Sequence, residues 1–287
     1  MIIMSSYKII DTGINSPDIS IAMLAYNHEK FIGEAIESVL IQKTDYTYKI
    51  IIAEDFSTDS TREIVLEYQK KYPDKIKLIL QDKNVGASQN NVDLLSNLEG
   101  KYIAALEGDD YWTDPLKLQK QVDFLEANPD YSICFHNVNI LQDGIIKKDT
   151  LTSKVPETTT IKDLAIYNYM HTCSVVYKNN LFADFPPYLK EAPVGDYFLH
   201  MLNARYGSIK CIDEIMGVYR LHGTSVWSSK TQEERELIWV PFLENIKPNF
   251  DKEVQDILNA QIAFYTKQKE KKKKYGIWEI LKTKLFN

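Results

Sequence analysis

Three carboxylates lie close together in the sequence, at Glu107, Asp109 and Asp110, and this spacing could support metal chemistry. They directly follow the apolar run 102–106, which predicts a short buried strand. Acids at the end of a buried strand repel one another and lose hydration unless a cation lies among them. Such oxygen ligands suit Mg²⁺ or Mn²⁺, with phosphate oxygens and water completing the shell. A metal-held diphosphate is therefore the first hypothesis; the alternative is a solvated acidic loop that caps the next helix.

The segments before this cluster alternate between two periodicities. Short β-branched runs predict strands, and stripes of apolar residues at helical spacing predict helices between them. Ser60 and Glu63 have the spacing of a capping box at the start of one helix. Repeated strand–helix alternation requires crossover connections, and so predicts a mostly parallel sheet covered on both faces. The predicted strands are 19–25, 48–53, 76–80 and 102–106, and the predicted helices are 29–42, from about 60, and 90–98.

The pattern is looser after the cluster. Pro115 can open a helix over 116–127, and Asp143–Gly144 is a hairpin turn signal. The polar, threonine-rich segment 146–160 predicts a loop, and we expect this segment to contribute to substrate specificity. The remaining predicted elements are strands over 132–141, 173–177 and 209–219, a helix over 196–205, and helical structure from 231 onward.

Polar residues follow three of the predicted strands. Ala25, Tyr26 and Asn27 end the first strand, Glu54 and Asp55 end the second, and the acidic cluster ends the fourth. Open parallel sheets bind ligands outside the carboxyl ends of their strands, and a ring beside a carboxylate can hold a planar base. Neither a G-x-G-x-x-G nor a P-loop motif occurs in the sequence. These observations favour a metal-held nucleoside diphosphate.

The composition is that of a globular protein rather than a nucleic-acid binder. The chain has 287 residues and a formal net charge of −6, which argues against nucleic acid as a partner. Cys134, Cys173 and Cys211 form no CxxC pair, and we expect buried free thiols rather than a zinc site or disulfides. The sequence shows no signal peptide and no apolar run long enough to span a membrane, so we expect a cytoplasmic protein.

Several ordered motifs resemble those of the family 2 inverting glycosyltransferases, which have the GT-A fold. The resemblance covers roughly residues 18–225. It implies an α/β fold of the GT-A, Rossmann-like type, with a mostly parallel sheet sandwiched by helices and a helical C-terminal extension. The motifs that carry it lie at 19–28, 35–42, 54–61, 84–86 and 107–121.

The resemblance implies a role for individual residues of the nucleotide and metal sites. Asp55 matches the acid that contacts the nucleobase, with Tyr26 as the ring beside it. Asp109 matches the acid that serves the ribose, and Asp110 is the expected direct metal ligand. His222 matches a late histidine that approaches the metal or the diphosphate in some members; the alternative is an ordinary structural histidine.

The resemblance also places a base and several residues near the diphosphate or the acceptor. Asp196 matches the general base, although an aspartate before an apolar helix could instead cap it. Glu107 and Trp112 are further candidates, and for Trp112 packing beneath the site is the alternative. Gln89 replaces an arginine of many relatives, so a cationic contact to the diphosphate could be lost, and Arg220 could supply it.

Together these inferences predict a metal-assisted transferase of polysaccharide biosynthesis in the cell envelope. The enzyme would transfer a sugar from a nucleotide donor, which we expect to be a UDP-sugar, to a hydroxyl of a polysaccharide or lipid-linked oligosaccharide. Mg²⁺ or Mn²⁺ would be the cofactor. The alternatives are a sugar-1-phosphate nucleotidyltransferase and a non-catalytic nucleotide-sugar-binding protein. The predicted organisation is a lead-in over 1–17, a GT-A domain over 18–230 and a helical extension over 231–287.

The end of the chain has a composition of its own. Residues 266–287 hold eight lysines and two glutamates, a net charge of +6, which leaves −12 on residues 1–265. Ile277, Trp278, Leu281 and Leu285 can form one apolar face. A basic amphipathic helix of this kind fits the anionic inner face of a cell membrane, as a peripheral protein would require. The alternative is a terminal helix that packs on the domain.

Overall fold

A mixed β-sheet with helices on both faces forms the centre of the molecule. The computed structural model describes residues 7–13, 16–223 and 230–267. The strands are β1 (Tyr7–Ile10), β2 (Ile19–Ala25), β3 (Tyr48–Glu54), β4 (Ile76–Gln81), β5 (Tyr102–Ala105), β6 (Tyr111–Trp112), β7 (Tyr131–Gln142), β8 (Ile145–Lys148), β9 (Thr158–Thr159), β10 (Val176–Lys178) and β11 (Ser208–Leu221). The helices are α1 (Ile32–Leu40), α2 (Thr61–Lys71), α3 (Ala87–Leu95), α4 (Lys117–Ala127), α5 (Ile161–Ile166), α6 (Gly195–Asn203), α7 (Gln232–Ile246) and α8 (252–267).

The sheet has the order β1-β4-β3-β2-β5-β10-β7-β11-β6. Strands β4, β3, β2 and β5 run parallel, and β7 and β11 form a second parallel pair. Strands β1, β10 and β6 join their neighbours antiparallel, which makes the sheet mixed. The α/β fold with a helical C-terminal part is confirmed.

Burial on both faces explains the composition of the central strands. Every residue of β3 is buried, as expected for a parallel strand covered by helices on each side. One core packs α1, α2 and α4 against the sheet through residues such as Ile36, Val65 and Val122. A second core packs α3, α5, α6 and α7 on the opposite face.

The register of the parallel strands brings the predicted site residues to one edge. Ala25 pairs directly with Glu54 across β2 and β3, and Ala22 pairs with Ala105 across β2 and β5. The three strands therefore end side by side, and the chain leaves each of them into a polar loop. This is the edge at which open α/β sheets bind ligands.

The helical extension is part of the same packed structure as far as it is described. Phe242 of α7 and Leu258 of α8 are fully buried in the core beside α6. Gln261 of α8 accepts a hydrogen bond from the Trp239 indole at 2.7 Å and donates to the Ala165 carbonyl at 2.7 Å. None of the helices in the described part of the chain has the length and hydropathy that a bilayer span needs. The predicted apolar face at 277–285 lies outside the described residues.

Several sequence predictions fail at the level of local structure. The capping box at Ser60 is wrong: the structure, over its described residues, gives Ser60 no side-chain capping bond, and Asp59 accepts from the Thr61 backbone N–H at 2.9 Å instead. The predicted loop 146–160 contains part of β8 and all of β9. The predicted strand at Cys173 begins with a 3₁₀ turn over Thr172–Ser174. The N-terminal lead-in contributes β1 to the sheet.

Candidate functional site

The acidic cluster forms a compact set of oxygen ligands between β5 and β6. One carboxylate oxygen each of Glu107, Asp109 and Asp110 lies within 4.8 Å of the others. The Asp110 side chain is completely buried, and its Oδ1 accepts a hydrogen bond from the Arg220 backbone N–H at 2.8 Å. Its Oδ2 is also buried and accepts no N–H or O–H hydrogen bond among residues 7–13, 16–223 and 230–267, and the thiol of Cys173 beside the carboxylate is only a weak donor. A buried oxygen without a partner is costly unless a cation occupies the space beside it.

The pKa values of the three acids diverge because their surroundings differ. Burial, together with the charge of Asp109, raises the pKa of Glu107 and of Asp110 well above their ordinary values. Burial also acts to raise the pKa of Asp109, but a hydrogen bond from His222 and the nearby His28 lower it overall. The surroundings thus disfavour the ionised forms of Glu107 and Asp110, and a divalent cation bound beside them would supply the missing positive charge.

Two histidines face Asp109. His222 Nε2 lies 2.9 Å from Asp109 Oδ2, and His28 Nε2 lies 3.8 Å from the same oxygen. The His222 ring packs on Phe31 with the ring centroids 4.9 Å apart. Burial lowers the pKa of His28. The sequence motif contained His28 without assigning it a role, because its contact with Asp109 joins residues 81 positions apart.

The loop that carries the acids passes so close to β2 and α1 that it requires a glycine at position 108. A Cβ atom at this position would lie 2.8 Å from His28 Nδ1, 2.8 Å from Ile32 Cδ1 and 3.0 Å from the Leu24 carbonyl oxygen. Only a residue without a side chain allows the loop to pass so near to β2 and α1. The glycine therefore sets the position of the acids on either side of it.

Gly108→Ala is expected to lower the free energy of unfolding by roughly 1–3 kcal/mol, as overpacking usually does. Urea denaturation checks this result. Gly223→Ala is the matched control: its Cβ would meet nothing within 4 Å in the described structure, so we expect a change within about 0.5 kcal/mol. Equal stability of the two variants would contradict the close packing at Gly108.

The predicted nucleotide residues lie at the ends of β2 and β3. Asp55 is buried and accepts from the backbone N–H groups of Val85 and Gly86 at 2.7 and 3.0 Å. Burial raises the pKa of Asp55 despite these bonds. Tyr26 is 40% exposed, so its ring is available to stack on a ligand. Asn27 Oδ1 accepts from the Thr58 backbone N–H at 2.8 Å and joins the two loops.

Asp196 lies at the start of α6 without capping it. The helix begins at Gly195 after Val194, and the described residues supply no side-chain cap, so the capping alternative is not supported. Asp196 Oδ2 accepts a hydrogen bond from Thr172 Oγ1 at 3.0 Å. Asp196 is also among the charges that raise the pKa of Glu107. It therefore belongs to the same electrostatic region as the acidic cluster.

Arg220 is held by several contacts beneath the acids. Its guanidinium donates to the Asp109 carbonyl oxygen at 2.6 Å and pairs with Glu34. It also lies 4.4 Å from the centroid of the Tyr111 ring and 5.1 Å from that of Phe31. With only 7% of its surface exposed, Arg220 positions the loop of the acids.

Trp112 packs beneath the site. It is 2% exposed, and its indole N–H donates to the Cys173 carbonyl at 2.7 Å. Its backbone N–H donates to Ser38 Oγ at 3.1 Å. This burial favours the packing alternative over a contact with an acceptor. Cys134, Cys173 and Cys211 are buried free thiols in the described structure, as predicted.

Comparison with known proteins identifies relatives in sequence. A model of the family Glycosyl transferase family 2 matches residues 20–181. An uncharacterized protein of Mycobacterium tuberculosis is 39% identical over 223 residues, which are 76% of this chain and 62% of that protein. The chain thus spans less than two thirds of this relative. Escherichia coli WfgD, named UDP-Glc:alpha-D-GlcNAc-diphosphoundecaprenol beta-1,3-glucosyltransferase, is 29% identical over 219 residues, 75% of this chain and 81% of WfgD.

Solved structures with the same fold have lower sequence identity. S. aureus TarS 1-349 in complex with UDP-GlcNAc has a TM-score of 0.64 at 17% identity, over 86% of this chain and 72% of that chain. The mannosyltransferase PcManGT from Pyrobaculum calidifontis, in complex with GDP-Man and Mn²⁺, has a TM-score of 0.63 at 16% identity, over 86% and 70%. At these identities the likeness shows the fold alone, which is the GT-A fold.

Proposed function

Since the chain belongs to glycosyltransferase family 2, we propose that it transfers a sugar with inversion from a nucleoside diphosphate donor to a hydroxyl group of a saccharide. The observation that carries this proposal is the cluster of Glu107, Asp109 and Asp110 after β5, in which Asp110 is buried and has an oxygen that lacks a partner within the described structure. A divalent cation would give these acids the counter-charge that their surroundings lack, and it would bind the diphosphate of the donor at the same place.

The donor would lie across the ends of β2, β3 and β5. Asp55 would accept an N–H of the base, and the exposed ring of Tyr26 would stack on it, beside Ala25 and Asn27. Asp109 would serve the ribose. We propose a UDP-sugar because TarS was solved with UDP-GlcNAc and WfgD is named for UDP-Glc; the GDP-Man of PcManGT makes GDP-sugars the comparison to test.

The residues present fit a divalent cation. Asp110 would supply a direct oxygen ligand through its unpartnered Oδ2, and Glu107 could add a second oxygen. His222 lies beside the same acidic cluster, because its Nε2 is within hydrogen-bond distance of the Asp109 carboxylate. When bound, Mg²⁺ or Mn²⁺ would neutralise the negative charge that develops on the leaving diphosphate. PcManGT was solved with Mn²⁺, which supports trying that ion first.

Asp196 would act as the general base. A carboxylate must take the proton of the acceptor hydroxyl as this hydroxyl attacks the sugar. Thr172 donates to Asp196 Oδ2, which fixes the carboxylate and leaves its other oxygen to receive the proton. One displacement from the face opposite the diphosphate inverts the anomeric centre, and no covalent sugar intermediate is needed.

The proposed acceptor is a polysaccharide or a lipid-linked oligosaccharide of the cell envelope. WfgD is named for an acceptor on diphosphoundecaprenol, which supports the lipid-linked form. Such an acceptor would place the enzyme at the inner face of the cell membrane. The lysine-rich segment 266–287, of which residues 268–287 lie outside the described structure, would then attract anionic lipids.

A donor screen tests the proposal. UDP- and GDP-sugars are mixed with the full chain and Mn²⁺, and the melting temperature is recorded, because a ligand that binds only the folded state raises it. We expect one UDP-sugar to raise the melting temperature only when Mn²⁺ is present. Nuclear magnetic resonance of the product should then show an anomeric configuration opposite to that of the donor. No stabilisation by any donor, or a product that retains the configuration, would overturn the proposal.

A further inference from the structure

A cavity of about 360 Å³ lies between β7, β11 and the segment 149–157. This volume falls within the range of roughly 300–1,000 Å³ that small-molecule sites occupy. Its floor is formed by buried side chains of Asn137, Thr152 and Cys211, and its rim by the exposed side chains of Glu157 and Asp213. The cavity is therefore open to solvent at one end and closed at the other.

Asn137 gives the floor an unmet hydrogen-bonding demand. The residue is 3% exposed, and its Nδ2 donates to Asp213 Oδ1 at 2.7 Å. Its Oδ1 is buried and accepts no hydrogen bond from the part of the chain that the structure describes. A buried acceptor of this kind is normally satisfied by a water molecule or a ligand. Asn137 thus supplies an acceptor that a ligand hydroxyl could satisfy.

The backbone around the cavity is also irregular. The register of β11 on β7 shifts between Ile212 and Ile215, so Asp213 and Glu214 leave the ladder opposite Asn137. Irregularities of this type are frequent beside functional sites, where they redirect a side chain. Here the shift brings the Asp213 carboxylate to the amide of Asn137.

The lining favours a neutral, hydroxyl-rich ligand. Two carboxylates, Glu157 and Asp213, face one cation, Lys210, which is already paired with Glu157. Such a set repels a phosphate but accepts hydrogen bonds from hydroxyl groups. Val155 and Ile212 add apolar surface that can contact the C–H groups of a sugar ring. A saccharide combines these two properties.

Hydrogen bonds and short contacts connect the cavity to Asp196. Thr152 of the floor donates to Asp149 Oδ2 at 2.8 Å, through both its N–H and its hydroxyl. The same Asp149 oxygen lies 3.4 Å from His171 Nε2. The next residue, Thr172, donates to Asp196. The cavity wall and the proposed base are therefore linked through Asp149, His171 and Thr172.

We infer that this cavity is a second saccharide subsite, which binds a sugar unit of the acceptor away from the reacting hydroxyl. The inference rests on the proposed function, because the bound sugar is part of an acceptor only if the protein transfers a sugar to it. The binding itself requires neither a nucleotide nor a metal ion, so it can be measured separately from transfer.

The test uses saturation-transfer nuclear magnetic resonance on the full chain with methyl glycosides of glucose, galactose, mannose and N-acetylglucosamine. We expect at least one glycoside to receive saturation, and the signal to persist when UDP and Mn²⁺ fill the donor site. Val155→Phe, which fills the cavity, should reduce this signal at least five-fold. Leu151→Phe, a substitution on the same segment at an exposed side chain, should leave it unchanged.

Asp213→Asn provides a second variant if Val155→Phe fails to fold, and its signal should fall at least three-fold because a carboxylate acceptor is lost. Absence of binding in the wild type, displacement by UDP, or equal signals in the cavity variants and Leu151→Phe would each overturn the inference. Failure of the proposed function would appear differently, as glycoside binding at this cavity without association of any UDP- or GDP-sugar.

Discussion

Asp196→Asn is expected to lower the rate of sugar transfer by roughly 10²–10⁴-fold, the usual contribution of a general base. Donor binding should stay within about two-fold of the wild type, because the donor acids Asp55, Asp109 and Asp110 are unchanged. The amide keeps the shape of the carboxylate and can still accept from Thr172 Oγ1. Initial rates of transfer and calorimetric titration with the donor measure the two quantities.

Two further variants make this experiment specific. Thr172→Val removes the hydroxyl that fixes Asp196 and should give a smaller loss, about ten-fold. Glu191→Gln neutralises an exposed acid in the segment before α6 and should transfer at the wild-type rate. Unchanged transfer in Asp196→Asn would end its assignment as the base. Loss of donor binding in that variant would instead place Asp196 in the donor site.

The sequence predicted the first half of the fold because its strands are buried on both faces. Continuous runs of β-branched residues such as 48–53 strongly favour buried strands. The helices predicted between these strands require the strands to pair in parallel. The prediction that three polar loops meet at one edge followed from this topology. The pairing of Ala25 with Glu54 agrees with that prediction.

The short strands were missed for a physical reason. Strand β8 is fully exposed, and β9 has only two residues, so neither has the buried pattern on which prediction depends. Their pairing with β7 and β11 decides the structure instead. The capping box at Ser60 failed because the Ser60 backbone N–H, which the Glu63 side chain would have to reach, donates to Glu29 Oε2 at 3.1 Å.

The finer geometry of the site depends on contacts between residues far apart in the chain. Asp110 accepts from the Arg220 backbone across 110 residues, and Thr172 reaches Asp196 across 24. No local pattern signals such contacts. For this reason the sequence could name Arg220 as a cation near the site but could not place its guanidinium against Tyr111 and Phe31.

Asp110→Asn is expected to abolish the response to Mn²⁺ and to lower transfer by at least about 10³-fold, a loss on the scale of removing a key electrostatic group. The same variant should melt at a higher temperature than the wild type when both lack metal. Burial raises the pKa of Asp110, so its ionised form destabilises the folded state at neutral pH. The neutral amide of asparagine removes this cost.

The dependence on pH distinguishes this explanation from simple repacking. A carboxyl group whose pKa is raised on folding binds more protons in the folded state, so stability falls as pH rises from the ordinary value of 3.8 through the raised one. Without metal, the wild type should therefore lose melting temperature as pH rises above 3.8, and Asp110→Asn should lose less. The gain from Mn²⁺ should grow over the same range, because metal ligands must be deprotonated.

Melting curves with and without Mn²⁺ across this range measure all three effects. Asp143→Asn is the matched control, since it neutralises an exposed aspartate at the β7–β8 turn, where the positive φ of 52° suits asparagine. Its pH dependence and Mn²⁺ response should equal those of the wild type. If Asp110→Asn melted lower than the wild type without metal and kept the Mn²⁺ response, the unpartnered carboxylate would not be the metal ligand. The charge of the cluster would then be compensated within the protein itself, and the proposal of a metal-assisted reaction would lose its structural basis.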